Sequence, residues 1–211
     1  MSSTPLLYQG TLSSSSWRLR IALALKGIAY ESVRIDISRD EQLKPEFSPV
    51  LPARQVPCLA IDGQLLYQSV AILEYLEETR PTPRLLPSNP AARAQVRAVV
   101  EVINSVIQPL HNTPVRKRLQ AQFGLSVEDG NAWSRYWIEH RFDDLERQIQ
   151  TTRGEYCFGD EVTLADVFLY PQVASTVRFD ADMSRFPNLA AICANLRTLP
   201  AFRDSHPPEL Q

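Results

Sequence analysis

The chain has 211 residues, with 22 Lys and Arg against 24 Asp and Glu, for a formal net charge of −2. At roughly 150 residues per domain this length allows one large or two small domains, and 44% hydrophobic with 22% charged residues is ordinary globular composition. So neutral a balance gives no electrostatic reason to expect nucleic acid or an anionic membrane as partner. No stretch reaches the roughly 18 charge-free apolar residues of a membrane span, since even 98–110 contains Glu101 and Asn104. The start, Met1-Ser-Ser-Thr-Pro5, has neither the basic segment nor the apolar run of a secretory signal. Cys58, Cys157 and Cys193 form no C-x-x-C pair and fit a reducing compartment, so a soluble cytoplasmic protein is expected.

Leu6-Leu7-Tyr8 reads as a short strand, followed by Gly10 and the serine run Ser13–Ser16. Trp17, Ile21, Ala24 and Leu25 then recur at helical spacing, with Gly27 as a stop signal. Tyr30–Ile35 alternates like a half-buried strand, so the first thirty-odd residues form a βαβ unit with a parallel pair. Val56–Ile61 and Leu65–Tyr67 flank Asp62-Gly63, a hairpin turn signal, and Ser69 caps a helix with Ile72, Leu73 and Leu76 on one face. Arg80–Pro90 carries four prolines in eleven residues, a stiff extended boundary. Beyond it the pattern is helical. A helix over 91–119 has apolar residues at 96, 99, 100, 103, 106, 107 and 110 and a kink at Pro109. The next, over 127–151, has Trp133, Trp137, Phe142 and Leu145 as expected core. Thr163-Leu-Ala-Asp166 opens a further helix as a capping box, and 188–197 supplies another. The expected fold is an α/β, thioredoxin-like N-terminal domain (1–83), a linker (84–89) and an all-α C-terminal domain (90–211).

No metal site is expected, because His111, His140 and His206 have no ligand neighbours at suitable spacing. Seven glycines in no G-x-G-x-x-G or Walker pattern give no phosphate cradle, and no G-x-S-x-G is present. The serine run sits where a helix begins, and helix starts stabilise anions. A hydroxyl there can lower a thiol pKa, or simply cap the helix; the residues alone leave both readings open. Val56-Pro57 before a strand is a candidate cis bond, although a trans proline there is the commoner arrangement. Gln68-Ser69 is a second strand-to-helix junction able to hold a carboxylate.

The segment Ser13-Ser-Ser-Ser-Trp-Arg-Leu-Arg-Ile-Ala-Leu-Ala-Leu-Lys-Gly27 resembles the signature of zeta-class glutathione transferases, the maleylacetoacetate isomerases. So do Gln55-Val-Pro57, 67–77, 80–87, 107–112, 159–166 and Pro171-Gln-Val-Ala174 with Arg178-Phe179, which together cover nearly the whole chain in order. The resemblance implies glutathione as cofactor, with Ser13 activating its thiol and Ser14 and Ser15 in the same catalytic group. It places Gln68 and Ser69 at the γ-glutamyl end, Val56 at the cysteinyl unit and Gln42 on the glycyl side, with Trp17, Arg18 and Gln55 in the same binding set. Gln108 and Asn112, one helical turn apart, would reach the ligand from the helical domain, and Arg178 would bind a substrate carboxylate. Asp166 is read as a folding element. The implied reaction is cis–trans isomerisation of maleylacetoacetate in tyrosine and phenylalanine degradation, by reversible thiolate addition to the double bond, in a homodimer. Maleylpyruvate isomerisation, transfer to α-haloacids and non-enzymatic glutathione binding are the alternatives; a thioredoxin-like redox role lacks its C-x-x-C. Two positions depart from the signature. Ser15 replaces its cysteine, so no mixed disulfide with glutathione can form there, and Leu12 replaces an arginine, removing a cation that could meet a dicarboxylate.

Overall fold

The computed structural model describes residues 4–210; Met1–Ser3, part of the start read for a signal, and Gln211 lie outside them. The chain divides into two compact units, one running up to Leu85 and joined by Pro200–Glu209, the other spanning Leu86–Leu199.

In the first unit β1 (Leu6–Gln9), α1 (Ser14–Leu25) and β2 (Glu31–Arg34) form the expected crossover. Strands β3 (Cys58–Ile61) and β4 (Gln64–Tyr67) precede α2 (Ser69–Thr79). The sheet order is β2-β1-β3-β4. β1 and β2 are parallel, with Leu6 opposite Glu31, and the other pairs are antiparallel. Asp62 and Gly63 turn the hairpin with φ of 53° and 74°, the left-handed pair that matches strand twist. Ile72, Leu73 and Leu76 of α2 are buried, so the face read from its apolar spacing is the core face; in α1 Trp17 and Ile21 are buried as expected, but Ala24 is exposed and Leu25 only partly covered, and Leu19, Ala22 and Leu23 fill the core instead. β2 is less buried than its alternation suggests: within it only Val33 is even partly covered, because β2 is an edge strand.

Residues 200–209, expected to belong with the helical part, group instead with the first unit. The reason lies in α1. Trp17 Nε1 donates to Ser205 Oγ at 2.9 Å, and its ring meets that of His206 edge-on at 4.9 Å. Arg20 donates to Gln9 Oε1 (2.8 Å) and to the carbonyls of Thr11 (3.2 Å) and Ser205 (3.4 Å). Burial against these neutral acceptors lowers its pKa to about 10.

The second unit contains α3 (Pro90–Glu101), α4 (Thr113–Phe123), α5 (Val127–Ile149), α6 (Leu164–Ala174) and α7 (Pro187–Thr198). The single kinked helix expected over 91–119 is broken. After α3 the chain widens into a π-helix at Val102–Ile107 and tightens into a 3₁₀ turn at Gln108–His111. Pro109 has no N–H to continue the α ladder and its ring crowds the preceding turn, so the helix changes pitch before it and restarts after Asn112. Along α5 the buried face is Ser134, Ile138, Phe142, Leu145 and Ile149. Trp133 and Trp137 are only partly buried and form an aromatic group with Tyr136 and His140 on a neighbouring face.

Two buried polar groups lock these helices. Asp166, fully enclosed, accepts from the N–H of Cys157 (2.9 Å), the N–H of Thr163 (2.8 Å) and Thr163 Oγ1 (2.9 Å). His111 Nε2 meets the side-chain amide of Gln172, 3.0 Å from its Nε2 and 3.3 Å from its Oε1, which ties the 3₁₀ turn to α6. Burial pushes the His111 pKa down to about 4, so its ring is neutral.

Asp166→Ala leaves two buried N–H groups without acceptors, at about 1–3 kcal/mol each. A fall in the urea midpoint corresponding to about 3 kcal/mol or more is expected, with the slope of the transition unchanged. His111 makes stability pH-dependent. Its pKa of about 4 in the folded chain lies below the roughly 6.5 of an open chain, so the unfolded state takes up the extra proton first. Its contribution is complete above about pH 6.5 and is lost as pH falls towards 4. Urea melts across that range should be flatter for His111→Gln than for the parent chain; equal slopes would show that this histidine is not the source.

Candidate functional site

The first unit builds one cluster around Gly10. The Gly10 N–H donates to the buried Ser16 Oγ at 3.2 Å, and the Ser13 N–H donates to the Gly10 carbonyl at 3.2 Å. A Cβ on Gly10 would stand 3.3 Å from Ser13 Cβ and 3.4 Å from Val56 Cγ2, so the missing side chain lets these two residues close on the turn. Ser13 is the N-cap of α1, with φ −75° and ψ 114°, and its Oγ accepts from the Ser16 N–H at 3.3 Å. A hydroxyl that accepts in a cap keeps its own proton for an outside acceptor. The N–H groups of Ser14 and Ser15, in the first turn, have no partner among the described residues. Ser13 and Ser15 are partly exposed, Ser14 nearly buried. Orphan donors, a free hydroxyl proton and the positive end of a twelve-residue helix together stabilise an anion such as a thiolate.

The other expected residues of this unit divide into two groups. The Val56–Pro57 bond is cis. Gln68 holds φ 69° at the start of α2, a left-handed conformation that costs a non-glycine residue about 1–3 kcal/mol and persists where the surroundings enforce it. Its side-chain amide donates to Gln55 Oε1 at 3.4 Å, so two exposed predicted binders lie side by side. Gln42, half-buried in the turn Glu41–Leu43, has a buried Oε1 with no hydrogen-bond partner, an acceptor suited to a ligand donor. Trp17 and Arg18 are placed differently from expectation. Trp17 is 1% exposed and faces Ser205, whereas Arg18 is fully buried and donates to Ser69 Oγ at 3.1 Å. They hold the first ends of α1 and α2 and present no surface to a ligand.

In the second unit Gln108 and Asn112 do not lie on one helical turn. Gln108 opens the 3₁₀ turn, whereas Asn112 is extended (φ −66°, ψ 147°) and caps α4, its Oδ1 accepting from the Thr113 N–H at 2.9 Å. Arg178 is exposed in the 3₁₀ turn Ser175–Phe179, with its guanidinium carbon 5.6 Å from the Phe179 ring centre. Sequence reasoning missed Arg116. It lies on α4 four residues after Asn112, a spacing that should have drawn attention to it, with its guanidinium carbon 5.1 Å from the same ring. The cysteines offer no ready nucleophile: burial raises the Cys58 thiol to about 11 and pushes Cys157 and Cys193 further up. Among the described residues no three His, Cys, Asp or Glu side chains gather as a metal-binding group.

Residues 12–79 match the glutathione S-transferase N-terminal domain, and residues 138–195 match the glutathione S-transferase C-terminal domain. The maleylacetoacetate isomerase of Rattus norvegicus is 49% identical over 96% of this chain and 92% of its own length. The maleylpyruvate isomerase of a Ralstonia species is 41% identical over 95% and 96%. A maleylacetoacetate isomerase from Methylobacterium extorquens, solved with malonate and glutathione bound, superposes with a TM-score of 0.92 at 36% identity over 96% of each chain. The chain therefore belongs to the glutathione transferase family, in the zeta class of glutathione-dependent isomerases.

Proposed function

We propose that this chain converts maleylacetoacetate to fumarylacetoacetate with glutathione as cofactor, in tyrosine and phenylalanine degradation, as a cytoplasmic homodimer. The observation that carries the reading is the start of α1, where a capping hydroxyl with a free proton sits beside two unpaired N–H groups. Glutathione supplies a thiolate that adds reversibly to an activated cis double bond, so that the bond can turn before it re-forms trans. Ser13 donates a hydrogen bond to that sulfur and favours the charged form, with the N–H groups of Ser14 and Ser15 adding to the field. Gln68, Gln55 and Ser69 hold the γ-glutamyl end, Val56 the cysteinyl unit and Gln42 the glycyl side; Gln108 and Asn112 add contacts from the second unit. Arg178 fixes one carboxylate of the substrate, so that rotation moves only the other end. The name of the rat relative supports maleylacetoacetate as the substrate, and no described helix is long and apolar enough to cross a membrane.

Maleylpyruvate is the second substrate reading, favoured by the 41% identical Ralstonia isomerase. Ultraviolet absorbance of each cis acid, with and without glutathione, decides between them: rapid loss of one alone names the substrate. Ser13→Ala should lower kcat by about 10²–10³, the usual effect of removing one donor to a developing or resting anion. It should cost only about 1 kcal/mol of stability as a lost cap, which thermal melting measures separately. Near-parental kcat in the folded variant would remove Ser13 from the mechanism.

A further inference from the structure

Arg116 and Arg178 both rest against the ring of Phe179, their guanidinium carbons 5.1 Å and 5.6 Å from its centre. The His111 ring packs on the same phenyl at 5.6 Å. A phenyl face attracts a cation but does not neutralise it, and His111 is uncharged. Among the described residues neither guanidinium pairs with a carboxylate: Arg116 has one bond, from Nη1 to Asn131 Oδ1 at 3.2 Å, and its buried Nε has no partner. Burial lowers the pKa of both, and the charge of Arg178 lowers that of Arg116 further. Two like charges resting on one buried ring raise each other's energy, and a dianion relieves both.

We infer that Arg116 is a second carboxylate-binding residue, which with Arg178 across Phe179 holds the two carboxylates of a dicarboxylic substrate and sets the preference for dianions over monoanions. This rests on the reading of Arg178 as the first carboxylate site. It assigns to α4 a role in specificity: Asn112 caps the helix, and one turn later Arg116 projects the second cation beside Phe179.

Calorimetric titration with two glutathione conjugates, S-dicarboxyethyl and S-monocarboxyethyl, reads the preference without turnover. The parent chain should bind the dicarboxyethyl conjugate about tenfold more tightly, the worth of one further charge-assisted contact. Arg116→Leu should erase that ratio while leaving the monocarboxyethyl affinity within about threefold, and Arg116→Lys should keep most of it. Arg178→Leu should weaken both conjugates. Arg116→Gln, which can retain the bond to Asn131, serves as a second uncharged variant should Leu melt early. An unchanged ratio in either uncharged variant, or an equal loss for both conjugates, would overturn the proposal. If the parent isomerises no maleyl acid yet the ratio behaves as described, the isomerase reading fails and the two-arginine site stands. If turnover is rapid and the ratio ignores Arg116, the reverse holds.

Discussion

The bond from the Gly10 N–H to Ser16 Oγ fixes the end of β1 against the first turn of α1. With the bond from the Ser13 N–H to the Gly10 carbonyl and the Ser13 cap, it makes a closed set of three contacts within seven residues. A Cβ on Gly10 would stand 3.3 Å from Ser13 Cβ and 3.4 Å from side-chain carbons of Ile37 and Val56, so a larger residue there requires its neighbours to give by a few tenths of an ångström. The four serines consequently divide the labour. Ser16 is buried to hold the turn, Ser13 caps while keeping a proton to give, and Ser14 and Ser15 contribute main-chain donors. A main-chain donor does not depend on its side chain, so Ser15 in place of a cysteine leaves the anion-stabilising field intact while removing any thiol of its own.

Four arginines, Arg18, Arg20, Arg116 and Arg178, separate into two kinds by what surrounds their charge. Arg20 bonds three neutral oxygens and holds the returning C-terminal segment, and the fully buried Arg18 donates to Ser69 Oγ. Their substitution would register first as lost stability, since a buried donor set leaves several acceptors unmet. Arg116 and Arg178 rest on an aromatic ring with most of their donors uncommitted. That contrast separates guanidinium groups that fold the chain from those still able to bind.

Much of the fold was legible because local rules and tertiary packing agree. The Asp62-Gly63 turn, the Ile72, Leu73 and Leu76 face and the Thr163…Asp166 box each have one strong physical cause, and each appears where its pattern lies. The serine run and the Val56–Pro57 bond needed the family resemblance, since residue type alone allowed a plain cap and a trans proline. Other features were illegible for identifiable reasons. Aromatic bulk made Trp133 and Trp137 look like core, but the buried face of α5 runs through Ser134, Ile138, Phe142 and Leu145 and leaves both indoles partly exposed beside it. Trp17 and Arg18 share the signature with Ser13, yet helical rotation turns them inward, so a motif's members need not share its function.

Arg116 lay within reach of the spacing argument. Periodicity counted along one continuous helix through Pro109 puts Gln108, Asn112 and Arg116 at i, i+4 and i+8, but that count does not join Arg116 to Phe179. The π-helix and the 3₁₀ turn reset that count. The change of pitch brings His111 under Gln172 and leaves Asn112 extended to start a new helix, whose face is measured from its own cap. From that origin Asn112 and Arg116 are one turn apart, and Arg116 meets the ring that Arg178 reaches from the 3₁₀ turn after α6. A neutral His111 beneath them matters as well. Charged, it would add a third cation to a patch that already repels; neutral, it packs against Phe179 and leaves the positive charge to the two guanidinium groups that can reach a ligand.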